Sequence, residues 1–287
     1  MKIAVIVNFD KKGAVTTAAE IIKLLTQEGA EVFTLKNDFS DMLHSTKVFD
    51  THTELVSACD VLLTVGGDGT IIHCAKHAAA FDKPILGINT GRLGYVAELE
   101  ADEIYMLKSL LNGDYSLENR LLLSVNVNRD NGDCECYTAI NDAVISRGAL
   151  SRIIDLDVKI DGSTVSSYRA DGVILATPTG STAYALSAGG PVIAPNLKCF
   201  ELVPVCSHAL SARCVMLSSD SAVEIKASSP DGKSYLTIDG QISVELSDKD
   251  VVEVKSSEQT LNMIVLKKRN FFKLAGEKLR EVNVNEA

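Results

Sequence analysis

The chain has 287 residues, 46% of them hydrophobic, which is enough for one large or two smaller domains with a sizeable core. A formal net charge of -10, with no basic run beyond Lys267-Lys268-Arg269, argues against a nucleic-acid footprint. Seven scattered cysteines, the closest pair being Cys134-x-Cys136, read as reduced thiols. The strand-like start and the lack of a long apolar run point to a soluble cytoplasmic protein with no membrane partner.

Ile3 to Val7 reads as a buried strand and Asn8 to Gly13 as a loop. Thr16 to Glu28 reads as a helix, with Ala19, Ile22 and Leu25 at helical spacing and Gly29 as its stop. Val32 to Leu35 is a second strand. Lys36 to Thr53 is polar and unpatterned, so it is expected to be a mobile excursion before the apolar strand at Val61.

That strand runs into Gly66-Gly67-Asp68-Gly69-Thr70, with Thr70 expected as the N-cap of a helix reaching about Ala80. Strand, glycine turn and helix together make an anion site, because glycine lets a ligand approach the backbone and the first helical turn leaves N–H groups unpaired. Gly66, Gly67, Gly69 and Thr70 are therefore the candidate phosphate binders. A carboxylate in their midst, Asp68, repels phosphate unless a divalent cation such as Mg²⁺ bridges the two or the carboxylate takes a proton during a reaction. The loop is neither a Walker A sequence nor Gly-x-Gly-x-x-Gly.

Ile85 to Asn89 is another strand, and Asn89 to Tyr95 should lie on the same sheet edge as Asp68, followed by a helix from about Asp102 to Leu111. Alternating strands and helices imply a parallel, doubly wound sheet with ligands at the carboxyl ends of its strands. After Asn112-Gly113-Asp114 the pattern changes. Leu121 to Asn128 and Cys134 to Ile140 alternate around Asp130-Asn131-Gly132, and Asp161-Gly162 and Asp231-Gly232 join further strand-like runs. Asn270 to Val282 reads as a helix capped by Asn270 that packs back on the first domain. The expected architecture is an α/β domain with a mainly parallel sheet (1–118 plus 270–287) and a β-rich domain (119–269).

Within the β region, Asp171-Gly172 runs through Thr177-Pro178-Thr179-Gly180-Ser181-Thr182-Ala183-Tyr184 to Gly190-Pro191, a strand leading into a turn dense in hydroxyls and glycine. Together with Gly66-Gly67-Asp68-Gly69-Thr70 and Asn141-Asp142, in this order and spacing, the chain resembles the NAD kinase family as far as Thr237-Ile238-Asp239-Gly240-Gln241. The glycine loop alone is less specific, being shared with diacylglycerol and sphingosine kinases.

The resemblance implies transfer of the γ-phosphoryl group of ATP, with inorganic polyphosphate an open alternative, to the 2'-hydroxyl of the adenosine ribose of NAD, giving NADP. It also implies a divalent cation with the ATP, a substrate site between two domains, and a homo-oligomer, usually a tetramer. Asp68 matches the family's base, and Asn141 and Asp142 match the pair that holds adenine and ribose. The usual pair there is Asn-Glu, so Asp142 is one methylene short and its contact must be closer or water-mediated. Thr179, Thr182, Ala183, Tyr184 and Ser187 match positions around the dinucleotide, Asp171 one near the nicotinamide, and Tyr95 an aromatic beside the adenine.

Arg92, Arg147 and Arg169 are read either as phosphate clamps or as surface charges. His73 and His77 share a helical face beside Cys74. A metal site needs further ligands that the sequence does not name, so a packed or solvated face is the expectation. A lipid kinase leaves the central motif unexplained, and a silent dinucleotide sensor leaves Asp68 unexplained.

Overall fold

The computed structural model describes residues 1–36, 46–91, 94–148, 152–209, 212–230, 233–268 and 270–284. Arg92, the expected Asp231-Gly232 turn and residues 37–45 of the expected excursion lie outside them. The chain forms two compact units, Met1–Asn119 with Gln259–Ala287, and Arg120–Glu258.

In the first unit, β1 (Lys2–Val7), β2 (Glu31–Leu35), β3 (Lys47–Phe49), β4 (Val61–Gly66) and β5 (Ile85–Asn89) pair in parallel in the order β3-β2-β1-β4-β5. β4 and β5 are buried at every residue, as expected of strands covered on both faces. Two further short pairings extend β5, to β6 (Leu99–Glu100) and to Met263 at the end of the last strand. Helix α1 (Ala14–Gln27) buries Ala18, Ile21, Ile22 and Leu25, and the chain turns out of it at Gly29, φ +82°. It starts two residues before the expected Thr16, directly after Gly13, which also has positive φ.

Two expectations are corrected here. The stretch before β4 holds β3 and a helix, α2 (His52–Ala58), whose Thr51 hydroxyl accepts from the Glu54 amide at 3.2 Å. A three-residue strand owes its form to pairing with β2, and a seven-residue helix is too short to show periodicity. The Thr51-x-x-Glu54 capping pattern was the readable signal. The span read as one helix from Asp102 is a 3₁₀ segment, Ala101–Met106, followed by α4 (Leu107–Asn112), which Gly113 ends at φ +79°.

The second unit is antiparallel and β-rich. One sheet has the order β14-β13-β12-β9-β16-β17, built from β9 (Asp142–Arg147), β12 (Gly172–Ala176), β13 (Cys199–Val205), β14 (Val215–Ser218), β16 (Ser234–Ile238) and β17 (Ile242–Leu246). The other has β10 (Ile154–Ile160), β11 (Ser163–Ala170), β15 (Ala222–Ser228) and the part of β18 (Val251–Val265) up to Glu258, in the order β11-β10-β15-β18. The hairpin of β7 (Ser116–Asn128) and β8 (Cys134–Ala139) lies along β18. The inward alternating residues of the two sheets, among them Leu123, Leu156, Leu175, Phe200, Leu236 and Val254, make one core. Both expected hairpins form: Gly132 has φ +90°, and Asp161 and Gly162 both have positive φ, as a two-residue primed turn requires.

Helix α6 (Phe271–Val284) belongs to the first unit, and the Asn270 side chain accepts from the Lys273 amide at 3.1 Å, as the cap should. No helix among the described residues is long and apolar enough to cross a membrane.

Candidate functional site

Where β4 ends, the backbone turns through Gly66 and Gly67 into α3 (Asp68–Ala80). The helix begins at Asp68 with Gly67 as its N-cap, three residues before the expected cap Thr70. Thr70 acts from inside the first turn. Its hydroxyl accepts from the Gly67 amide (3.4 Å) and from the Asn8 side-chain amide (2.9 Å), which ties the loop to the end of β1. A Cβ on Gly66 would stand 2.4 Å from the Thr70 hydroxyl oxygen, so the protein itself requires that glycine. Gly67 and Gly69 are different, because a Cβ on Gly69 meets nothing within 4 Å and one on Gly67 meets only the Lys11 Cε at 3.9 Å. Lys11 and Asn8 fall in the stretch read as a plain loop, and neither was found from sequence.

The Asp68 carboxylate is held by three consecutive backbone amides. Tyr95 donates to Oδ2 at 2.7 Å, and Val96 and Ala97 donate to Oδ1 at 3.3 Å each. The segment after β5 is therefore the second wall, as its place on the sheet edge suggested, and Tyr95 acts there through its backbone. Gly94 makes the approach possible, since a Cβ at that position would lie 1.9 Å from Asp68 Oδ1. The second glycine of Gly91-Arg92-Leu93-Gly94 was the available signal. Beside the loop opens a cleft of about 400 Å³, lined by Asn8, Phe9, Asp10, Gly69, Thr70 and His73 among others, at the carboxyl ends of the strands flanking the switch in strand order.

In the second unit a cleft of about 400 Å³ gathers Asn141, Asp142, Ala183 and Tyr184 with Thr237 and Asp239. Asp239, in the β16–β17 turn at φ +51°, accepts from the Ile140, Asn141 and Asp142 amides at 2.7–3.1 Å. It repeats the arrangement at Asp68, one carboxylate fixing three successive N–H groups, and its sequence signal was its place in the Thr237-Ile238-Asp239-Gly240-Gln241 segment. Asp142 is buried, and that burial, followed by the charge of Asp239, pushes its carboxyl up to about 7. The buried Asn141 Oδ1 has no hydrogen-bond partner among the described residues, so it is an acceptor available to a ligand.

The hydroxyl-rich turn after β12 is a 3₁₀ turn, Gly180–Thr182, and a single helical turn, α5 (Tyr184–Ser187). Thr177 bonds the Ile140 carbonyl at 2.6 Å, and a Cβ on Gly180 would meet the Asn141 carbonyl oxygen at 2.1 Å. The turn is thus locked onto the Asn141 strand. Buried Ser181 bonds the Pro178 carbonyl and receives the Ile193 amide. Thr179 is buried and Thr182 half-buried, with the Thr182 hydroxyl on the Thr179 carbonyl, while Ser187 is exposed; none of the three lines the cleft. Glu201, unremarked in the sequence, lies buried below Gly190 with neither carboxyl oxygen partnered among the described residues, and burial pushes it up to about 7.

The arginines change meaning. Arg147 Nε binds Asp171 Oδ1 at 2.7 Å, so two residues read as separate contacts form one ion pair. Arg169 is exposed beside Asp155, 3.2 Å away, and lines neither cleft.

A model of the ATP-NAD kinase N-terminal domain matches residues 3–115, and one of the ATP-NAD kinase C-terminal domain matches 140–266. An NAD kinase of Symbiobacterium thermophilum is 39% identical over 279 residues, covering 97% of this chain and 98% of its own. One of Natranaerobius thermophilus is 35% identical over 278 residues, covering 96% and 97%. Among solved structures, an NAD kinase from Archaeoglobus fulgidus in complex with ATP has a TM-score of 0.76 at 27% identity, with 98% of this chain and 99% of that one covered. Yeast NADH kinase complexed with NADH shares the fold at a TM-score of 0.89 and 23% identity, over 99% of this chain and 88% of its own. These matches lend nothing to a lipid kinase or a sensor. Two domain models in order, and relatives similar along nearly the whole length, place the chain in the NAD kinase family.

Proposed function

We propose that this chain phosphorylates the 2'-hydroxyl of the adenosine ribose of NAD with the γ-phosphoryl group of ATP. The observation that carries the reading is the Asp68 carboxylate, oriented by three amides within a glycine loop. Oδ2 accepts one amide N–H, which leaves it a lone pair for the proton of an attacking hydroxyl. As the ribose oxygen attacks the γ-phosphorus, the hydroxyl proton passes to Asp68 and the bond to the ADP oxygen breaks, giving NADP and ADP. Phosphoryl transfer asks mainly for positioning and charge stabilisation, which a rigid carboxylate and open backbone amides supply.

Gly67 and Gly69 have no steric need inside the protein to be glycine, which fits a polyphosphate lying against their backbone, and Lys11 is the nearby cation. A divalent cation, Mg²⁺ in this reading, neutralises phosphate charge. That ion would be carried mainly by the phosphates of ATP, with Asp68 alongside. Asn141 and Asp142 hold adenine and ribose, and Ala183 and Tyr184, which line the same cleft, border the dinucleotide. Arg147 positions Asp171. A homotetramer, a cytoplasmic setting and polyphosphate as a second donor belong to the same reading through the family resemblance.

The test is an incubation with NAD, γ-labelled ATP and Mg²⁺, with diacylglycerol micelles as a rival acceptor. Label in a product oxidised or reduced only by an NADP-specific dehydrogenase is expected, and label in lipid with none in NADP overturns the reading.

Asp142 adds a pH dependence. Ribose hydroxyls donate to its ionised form, and the free carboxyl is protonated below about 7. NAD affinity therefore rises with pH through about 7, because binding must expel that proton at lower pH. Asp142→Asn should flatten this profile. Titrations of NAD at several pH values check it, and an unchanged inflection in the variant would rule Asp142 out as its source.

A further inference from the structure

The α3 face that carries His73 and His77 receives a third imidazole from α2. The His52 ring stands 5.2 Å from that of His77, nearly parallel at 13°, and 6.0 Å from that of His73, while the α3 pair are 6.4 Å apart. The Thr51 cap and burial of Leu55 and Val56 fix α2, and with it the position of His52 at its first residue. Three imidazoles bound through one nitrogen each to a tetrahedral ion at about 2.0–2.1 Å would have ring centres about 5 Å apart. The observed spacings of 5.2, 6.0 and 6.4 Å exceed that by up to about 1.4 Å.

The rings now stack and meet edge to face and do not aim at one point. Convergence takes rotation about side-chain bonds, and the outer torsion of histidine is broad and soft.

We propose that His52, His73 and His77 form a binding site for a divalent ion of borderline softness, of the Zn²⁺, Co²⁺ or Ni²⁺ type. The donor set is nitrogen only, which suits these ions and not the hard, oxygen-seeking Mg²⁺ that accompanies ATP. Three protein ligands leave a fourth position for solvent or an added ligand. His52 and His73 also line the cleft that contains Gly69 and Thr70, so the ion would sit beside the glycine loop.

The test uses the full chain, stripped with chelator, in a Cys134→Ser/Cys136→Ser background. Those two thiols are exposed with their Sγ atoms 3.9 Å apart and would compete for the same ions. Co²⁺ is titrated while the visible absorption of four-coordinate cobalt is followed, then displaced with Zn²⁺. One equivalent is expected to bind, and His73→Asn should weaken it at least about 100-fold, since loss of a direct ligand exceeds loss of a supporting contact. His73 is exposed, so its replacement leaves folding intact, and His77→Asn, checked by thermal melting, gives a second reading. Absence of stoichiometric four-coordinate cobalt, or binding that both substitutions leave unchanged, overturns the proposal and leaves the rings as packing.

Discussion

Asp68→Asn is expected to lower kcat by about 10²–10⁴-fold, the range for losing a positioned general base, with kcat/KM falling in step. The variant is not silent structurally. An amide has one acceptor oxygen, so either the Tyr95 N–H at 2.7 Å or the Val96 and Ala97 pair then faces an NH₂ group. An unsatisfied donor of this kind costs on the order of 1–3 kcal/mol. The loss of the base corresponds to about 3–5 kcal/mol in the barrier, so chemistry should dominate the kinetics while the melting temperature drops modestly. Equilibrium NAD binding separates the two effects: affinity near wild type with little turnover is the expected pair, and near-normal turnover would remove Asp68 from the chemistry.

Gly94→Ala should be nearly as damaging without touching a reacting group. The new methyl carbon would stand 1.9 Å from Asp68 Oδ1 and 2.2 Å from the carboxyl carbon. Contacts that short do not occur, so either the carboxylate or the 94–97 backbone moves, and each movement breaks the amide bonds that orient Asp68. A displacement of about 1 Å at a reacting group costs about 10²-fold, and overpacking adds about 1–3 kcal/mol of destabilisation. Gly91→Ala is the control, because a Cβ there meets nothing within 4 Å, and near wild-type turnover is expected. Equal loss in both variants would mean that the segment needs glycine for a reason other than room for Asp68.

The parallel sheet, the glycine loop and the antiparallel hairpins were legible because each leaves a local mark: continuous apolar runs at β4 and β5, glycines at the turn, alternation either side of Asp130-Asn131-Gly132. β3 and α2 left a weaker one, a capping pattern without periodicity, and so did the 3₁₀ start before α4. Asp68 stood out because a carboxylate among phosphate-binding glycines demands a reason. What holds it did not, since the donors are backbone amides of Tyr95, Val96 and Ala97, which carry no side-chain signature. Asp239 was hidden in the same way: it lay in the last segment of the family resemblance with no role of its own, and its partners are amides about a hundred residues away in sequence. The pairings of Arg147 with Asp171 and of His52 with His73 and His77 are likewise facts of long-range folding.

The most direct test of the account is the double variant Asp68→Asn/Gly94→Ala, measured as NADP formed per enzyme under saturating NAD and ATP. If Gly94 acts only by letting the 95–97 amides orient the Asp68 carboxylate, displacing the equally large amide of a variant that has already lost its base costs little further turnover, and the double variant should turn over at about the rate of Asp68→Asn alone. Losses that multiply would show that the two residues act independently, and would contradict a site centred on a carboxylate held by the 95–97 backbone.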